Sequence, residues 1–231
     1  VADVPSYEAL KNKQQELIRK SLDGSVFIAP PSADPIATLT QYRAAVVGPP
    51  AVPAGVELAA LPEAWDDLGW LTGDGAAFSR DVSSSETTSW GAVTPTRTDI
   101  TADTTTLTVT AQETKLLTIG LATGADLANV VPDAQTGELR VSKPLRPKSA
   151  HYRVLSLAVD QGDDGEIFIG RCLPNAKVSS YAEQAFAGGE VPWGVTFTGE
   201  IDDELGYSEQ WLFGGEGWKA LLTKMGFPAA A

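Results

Sequence analysis

Between Thr98 and Thr114 the chain reads TDITADTTTLTVTAQET, and its side chains sort by parity. Thr104, Thr106, Thr108 and Thr110 fall on one parity, and Leu107, Val109 and Ala111 fall on the other. Successive side chains of a strand point to opposite faces. The pattern therefore predicts a strand with one dry face and one face coated in uncharged hydroxyls. Threonine is β-branched, which suits it to a pleated surface. Further strand-like runs are Ala76–Arg80, Thr87–Val93, Glu138–Ser142, Tyr152–Val159, Ile167–Leu173, Val195–Ile201 and Glu209–Phe213. Gly73-Asp74-Gly75 and Asp163-Asp164-Gly165 are turn signals between such runs. The spacing predicts a mainly β chain, an antiparallel β-sandwich or barrel with a packed α-helix and extended loops or arms.

Three segments carry the helical period instead. Residues 6–21, SYEALKNKQQELIRKS, have Ser6 as a cap, Glu8 in the first turn and Arg19 and Lys20 in the last. Their apolar stripe of Leu10, Leu17 and Ile18 is thin, so this helix needs a partner surface. ETKLLTIGLAT, Glu113–Thr123, ends before Gly124, and EGWKALLTKM, Glu216–Met225, is stopped by Gly226 and Pro228. Between Ala29 and Pro62 lie seven of the 15 prolines, which limits regular structure there to short pieces. Val26, Phe27, Ile28, Val46, Val47, Val52 and Val56 nevertheless need cover, either on another subunit or on the chain's own domain. The organisation expected is an N-terminal helix and Pro-rich extended arm over residues 1–64, then a β-sandwich domain with a C-terminal helix over 65–231.

Charge narrows the partners. The 231 residues carry a formal net charge of −13, and residues 61–130 alone hold ten acidic against three basic side chains. A surface this negative opposes holding nucleic acid by its phosphates, which takes clustered Lys and Arg, and suits one that repels nucleic acid. Cys172 is the single cysteine, so no disulfide forms within the chain. The first residues, VADVPSYEALKNKQQ, lack the apolar stretch of a signal peptide, so synthesis in the cytoplasm without classical export is expected. The most apolar segment, Ala44–Leu61, is interrupted by three prolines and Glu57 and cannot be a membrane-spanning helix.

Catalytic patterns are missing. One histidine and one cysteine exclude most nucleophilic and zinc arrangements, and no HExxH, GxSxG or GxxxxGK[ST] occurs. His151 begins a strand between basic residues and reads as a surface histidine. Cys172 shares its strand parity with Phe168 and reads as a small buried residue. DQGDDGE (160–166) departs from the EF-hand pattern, with Gly162 and Arg171 at ligand positions, and a hairpin tip explains it. EIDDE (200–204) reads as a solvated strand end, and FGGEGW (213–218) lacks the lysine a phosphate site needs. No metal and no cofactor is expected. Of the six tryptophans, Trp70 and Trp90 are the candidates for contacts between subunits, because Trp is favoured as an interface anchor.

At Trp65–Leu127 the sequence resembles a known family. A W-x-D-L-G-W opening is followed by the GDG turn, by S-W-G-x-x-x-P-x-R-x-D from Ser89 to Asp99, and by the Thr-rich strand ending in QET before a helix. Further on, RCLPNAKV (171–178) precedes VTFTGEIDDELG (195–206) in the same order. The chain resembles the major tail proteins, or tail tube proteins, of long non-contractile-tailed phages, especially those of actinobacteria. The resemblance implies a non-enzymatic structural virion protein that self-assembles into stacked hexameric rings around a continuous inner β-barrel. It implies the tape-measure protein as a partner during assembly in the host cytoplasm, tail terminator and distal tail proteins at the ends, and passage of genomic DNA without sticking. No membrane partner is implied. Thr104, Thr106, Thr108 and Thr110 are then candidates for the lumen, where acidic residues are expected to dominate. Two rivals stand beside this reading. One is a non-tubular β-rich module, such as a host-binding adhesin or head-decoration protein. The other is a carbohydrate-active enzyme pairing Asp66 and Asp67 with EIDDE.

Overall fold

The computed structural model of the chain describes residues 6–143, 145 and 150–228. Ten strands form: β1 Asp23–Ala29, β2 Thr40–Arg43, β3 Gly55–Leu58, β4 Asp66–Asp67, β5 Leu71–Thr87, β6 Arg97–Ala111, β7 His151–Gly162, β8 Gly165–Tyr181, β9 Trp193–Glu200 and β10 Gln210–Gly214. Three short helices accompany them: α1 Tyr7–Leu10, α2 Leu116–Thr123 and α3 Glu216–Leu221. Eight strands make one antiparallel sheet, in the order β4-β1-β7-β8-β9-β6-β5, with β10 beside β8. β2 and β3 form a separate hairpin.

The long strand β8 turns this sheet into a sandwich. Its first half lies between β7 and β10, whereas its second half lies between the start of β7 and β9. Register shifts fall between Tyr152 and Val154 in β7 and between Val178 and Ser180 in β8. Bulges of this kind let a strand bend from one sheet into the next. Leu107 and Val109 of β6 and Val195 and Phe197 of β9 consequently share one buried cluster with Val26 and Ile28 of β1, Val154 of β7 and Leu173 of β8. Leu121 of α2 closes the side of that cluster, and Tyr152 meets Phe197 edge to face at 6.2 Å.

The other face of β1, β7 and β8 is also covered. Ala33, Ile36 and Trp65 pack on Ala29, Leu155 and Cys172. Trp65 Nε1 donates to the Asp34 carbonyl at 3.0 Å. The Pro-rich stretch therefore lies partly on its own sheet, and β1 is a full strand of that sheet rather than part of an arm. Val47 in the β2–β3 loop remains exposed.

Several sequence expectations need correction. The helix expected over 6–21 is only α1 and one 3-10 turn at Gln15–Leu17, because its thin stripe has nothing to bury against; Leu10 and Ile18 stay exposed. The strand expected at Thr87–Val93 stops at Thr87, where Thr96 N–H bonds back to the Thr87 carbonyl and a loop with Gly91 at φ 85° begins. Glu138–Ser142 is not a strand: Gly137 N–H bonds to the Asp133 carbonyl, making a turn around the Asp133 side chain. Gly73-Asp74-Gly75 is no hairpin turn but an irregularity inside β5, between the pairs Leu71↔Ala111 and Ala76↔Val109. The helix expected from Glu113 begins at Leu116, with Thr118 Oγ1 accepting from Lys115 N–H, and α3 ends at Leu221 rather than Met225.

Candidate functional site: a hydroxyl face and a projecting arm

β6 separates its parities as the pattern requires. Leu107, Val109 and Ala111 are buried, while Thr104, Thr106, Thr108 and Thr110 lie on the face that no layer covers. Register extends this face across neighbouring strands. Ser79 of β5, Thr106 of β6, Thr198 of β9, Lys177 of β8 and His151 of β7 stand side by side in one row. A second row runs Ala77, Thr108, Thr196, Ser180, and Asp81 stands opposite Thr104. Thr108 and Thr196 hydroxyls are 3.1 Å apart, and Thr198 Oγ1 donates to Ser179 Oγ at 2.7 Å. Cross-strand hydroxyl pairs of this sort stabilise a sheet without adding charge.

The charges on this face gather at one margin. Glu200 is paired with Lys177 and lies 3.1 Å from His151 Nε2. Lys177, and behind it His151, hold the Glu200 carboxyl below the usual glutamate range against its partial burial. The face thus presents hydroxyls across its middle and a largely neutralised cluster at its edge.

The dry side of β6 ends at Thr105, a buried threonine whose Oγ1 donates to Glu209 at 2.9 Å. Glu209 also accepts from Arg171 Nε at 2.6 Å. The Arg171 guanidinium lies between two rings, 3.8 Å from the Phe78 centroid and 4.1 Å from that of Trp211. Trp211 stacks on Phe213 at 5.8 Å, Phe213 on Trp218 of α3 at 4.7 Å, and Trp218 meets Phe227 at 6.4 Å. Sequence reasoning missed this ladder. The alternation of Arg171, Trp211 and Phe213 was visible, but nothing local says that β8, β10 and β5 meet.

Beyond Thr105 the β5–β6 hairpin leaves the body. Every described residue from Asp81 to Asp103 is exposed, so this is a bare two-stranded arm on the order of 20 Å long at about 3.3 Å per residue. Its root is clamped by Arg80 and Asp103, whose bidentate pair holds the Asp103 carboxyl low and the guanidinium correspondingly high. Trp90 and Val93 sit fully exposed in the tip loop, and Val82 and Ile100 are exposed along the shaft. Trp70 is also exposed, at 76%, beside the body rather than on the arm. Its backbone N–H donates to Glu113 Oε1 at 2.7 Å, and that carboxyl is held low chiefly by Lys115.

The residues considered for chemistry have structural employment. Asp202 of EIDDE is not solvated but buried, paired with Arg153 at 3.2 Å and accepting from the Glu204 and Leu205 N–H groups. Asp160 binds Arg19 and the Lys20 N–H, while Asp163 and Asp164 form the tip of the β7–β8 hairpin. Cys172 is buried, which pushes its thiol up to about 12. In FGGEGW, a side chain at Gly217 would collide with the Gly165 carbonyl, and Glu216 accepts from Val56 N–H at 2.9 Å; the glycines let α3 lie against the β7–β8 hairpin. Among the described residues no group of three or more His, Cys, Asp or Glu is placed to hold a metal ion, and no helix is long and apolar enough to cross a membrane.

An antiparallel β-sandwich with a bare hydroxyl face, a projecting hairpin and an exposed strand edge defines a class of β-rich structural protein. The family described as phage tail tube protein matches residues 11–206, and the chain belongs to it. The chain is a structural component of a virion tail. No curated protein matches it. Among solved structures, a chain of a native gene transfer agent virion particle is similar at 10% identity. That likeness covers 65% of this chain and 88% of the other, with a TM-score of 0.28.

Proposed function

We propose that this chain builds the tail tube by edge-to-edge joining of its hydroxyl-faced sheet, six copies to a ring and ring upon ring. The observation that carries the reading is the combination of that uncovered face with β5, which among the described residues pairs with β6 alone and leaves its outer edge open. An open edge of 17 residues invites another strand, and closure into a barrel removes it. With the sheets joined, Thr104, Thr106, Thr108 and Thr110 line the bore together with Ser79, Thr196 and Thr198.

Such a lining suits the passage of DNA. Hydroxyls exchange hydrogen bonds with water and offer phosphates no fixed positive charge. Lys177 is the cation of this face, and Glu200 neutralises it. The carboxylates expected to dominate the bore are represented on it by Asp81 and Glu200, so repulsion of DNA works beside a mainly neutral lining. Trp70 and Trp90, exposed on separate parts of the surface, serve as anchors between subunits. The same reading makes the tape-measure protein the occupant of the bore during assembly in the host cytoplasm. Terminator and distal tail proteins close the tube's ends, and the chain performs no catalysis.

Negative-stain microscopy of the concentrated protein tests this. Hollow tubes or sixfold rings are expected, with the Thr104–Thr110 face inward at higher resolution. Stable monomers or trimers would replace the reading with that of an adhesin or a head-decoration protein.

A further inference from the structure

The bare arm and the N-terminal stretch are complementary in charge, and each exposes apolar side chains. Residues 81–103 carry Asp81, Glu86, Asp99 and Asp103 against Arg97 alone. Residues 6–22 carry Lys11, Lys13, Arg19 and Lys20 against Glu8 and Glu16. Local pairs account for some of these: Arg97 with Asp99, Asp103 with Arg80, Lys11 with Glu8, Arg19 with Asp160, and Glu16 with Lys224. The side chains of Asp81 and Glu86 on the arm, and of Lys13 and Lys20 on the N-terminal stretch, are exposed and have no ion-pair partner among the described residues.

Apolar exposure follows the same division. Val82, Trp90, Val93 and Ile100 are uncovered on the arm, and Leu10, Ile18 and Leu22 on the N-terminal stretch. That stretch is held in place rather than trailing. Lys224 grips Glu16 at 2.8 Å, Asp160 accepts from Lys20 N–H at 3.2 Å, and Leu22 N–H donates to the Val159 carbonyl at 2.9 Å. A surface already tethered in this way loses less freedom when it is covered.

We propose that the β5–β6 arm of one copy docks on the N-terminal stretch, residues 10–22, of a second copy. Asp81 and Glu86 then face Lys13 and Lys20, and Leu10, Ile18 and Leu22 cover the arm's apolar side chains. The arm's pairing leaves its shaft extended away from the body, so the occupant is another molecule. The proposal rests on the tail-tube reading and adds which two segments meet. Apolar cover supplies attraction, while charge sets register and excludes other pairings.

A charge exchange tests it on the full chain, with assembly followed by sedimentation against protein concentration. Asp81→Lys/Glu86→Lys and Lys13→Glu/Lys20→Glu are each expected to raise the concentration for half-assembly by about tenfold or more. The fourfold variant should return to within about twofold of the parent. Exposed positions make all three variants foldable, which circular dichroism checks. Cross-linking gives a second readout: Ile18→Cys copies mixed with Ile100→Cys copies should join through a short bis-maleimide, since buried Cys172 is inert. If the parent forms tubes while the paired reversals fail to rescue and no mixed cross-link appears, the docking is wrong and the tube reading survives. A parent that never self-associates removes both.

Discussion

At the scale of single residues, the consequential groups are the ones that finish the core where β6 turns from body to arm. Arg171 and Glu209 are mostly buried, with side chains 18% and 15% exposed. Removing one partner of such a pair strands the other's charge. Arg171→Ala is expected to lower unfolding free energy by on the order of 3 kcal/mol in urea titration, and to alter the emission of Trp211. An unchanged denaturation midpoint would show that Thr105 and solvent suffice for Glu209. Glu200 makes a pH-dependent contribution. Its folded pKa is depressed, so the stability it adds is fully present above the ordinary 4.5 and is lost as pH falls through the lower folded value. The difference in thermal midpoint between the parent and Glu200→Gln should therefore be constant near neutrality and vanish in acid below about pH 4. A difference that persists there would assign Glu200 a role other than its charge.

Elements divide into those that hold the body and those that leave it. Leu107 is fully buried among β1, β7, β8 and β9, and Leu107→Ala should cost about 2–5 kcal/mol in chemical denaturation. The arm behaves in the opposite way. Residues 82–102 are exposed throughout, so replacing them with a two-residue type I′ turn should leave monomer stability within about 1 kcal/mol of the parent. Assembly should be abolished by the same deletion. A large loss of monomer stability would mean that the arm folds back on its own body. This contrast also marks what was legible beforehand. Strands β6, β8 and β9 announced themselves by alternation because each has one dry and one wet side. The helix expected over residues 6–21 did not survive, because capping signals and a few leucines cannot sustain a helix without a groove to receive it. Gly73-Asp74-Gly75 carries the residues of a hairpin turn, yet pairing with β6 on both sides keeps the strand going through it.

For the molecule as a whole, the layers decide which surfaces are available to others. The Pro-rich stretch covers the outer face of β1, β7 and β8, so the remaining uncovered sheet face is the one carrying threonines. That leaves a hydroxyl face, an open β5 edge and a charged arm on one body, which is the equipment of a protein whose folding is completed by copies of itself. The acidic excess lies elsewhere than on that face, and it keeps the unassembled molecules apart until specific contacts form.

From the amino-acid order alone came the β character, the two-sided threonine strand, the lack of catalytic constellations and the resemblance to tail tube proteins. These follow from local sterics, since a side chain's parity and the residue types at a turn are set within a few positions. Only the tertiary structure decided that His151, Lys177, Thr198, Thr106 and Ser79 form one row, that Arg171 lies between Phe78 and Trp211, and that residues 81–103 stand free. Those outcomes depend on strand register and on which layer covers which, and both are settled by contacts between segments a hundred residues apart that no local pattern encodes.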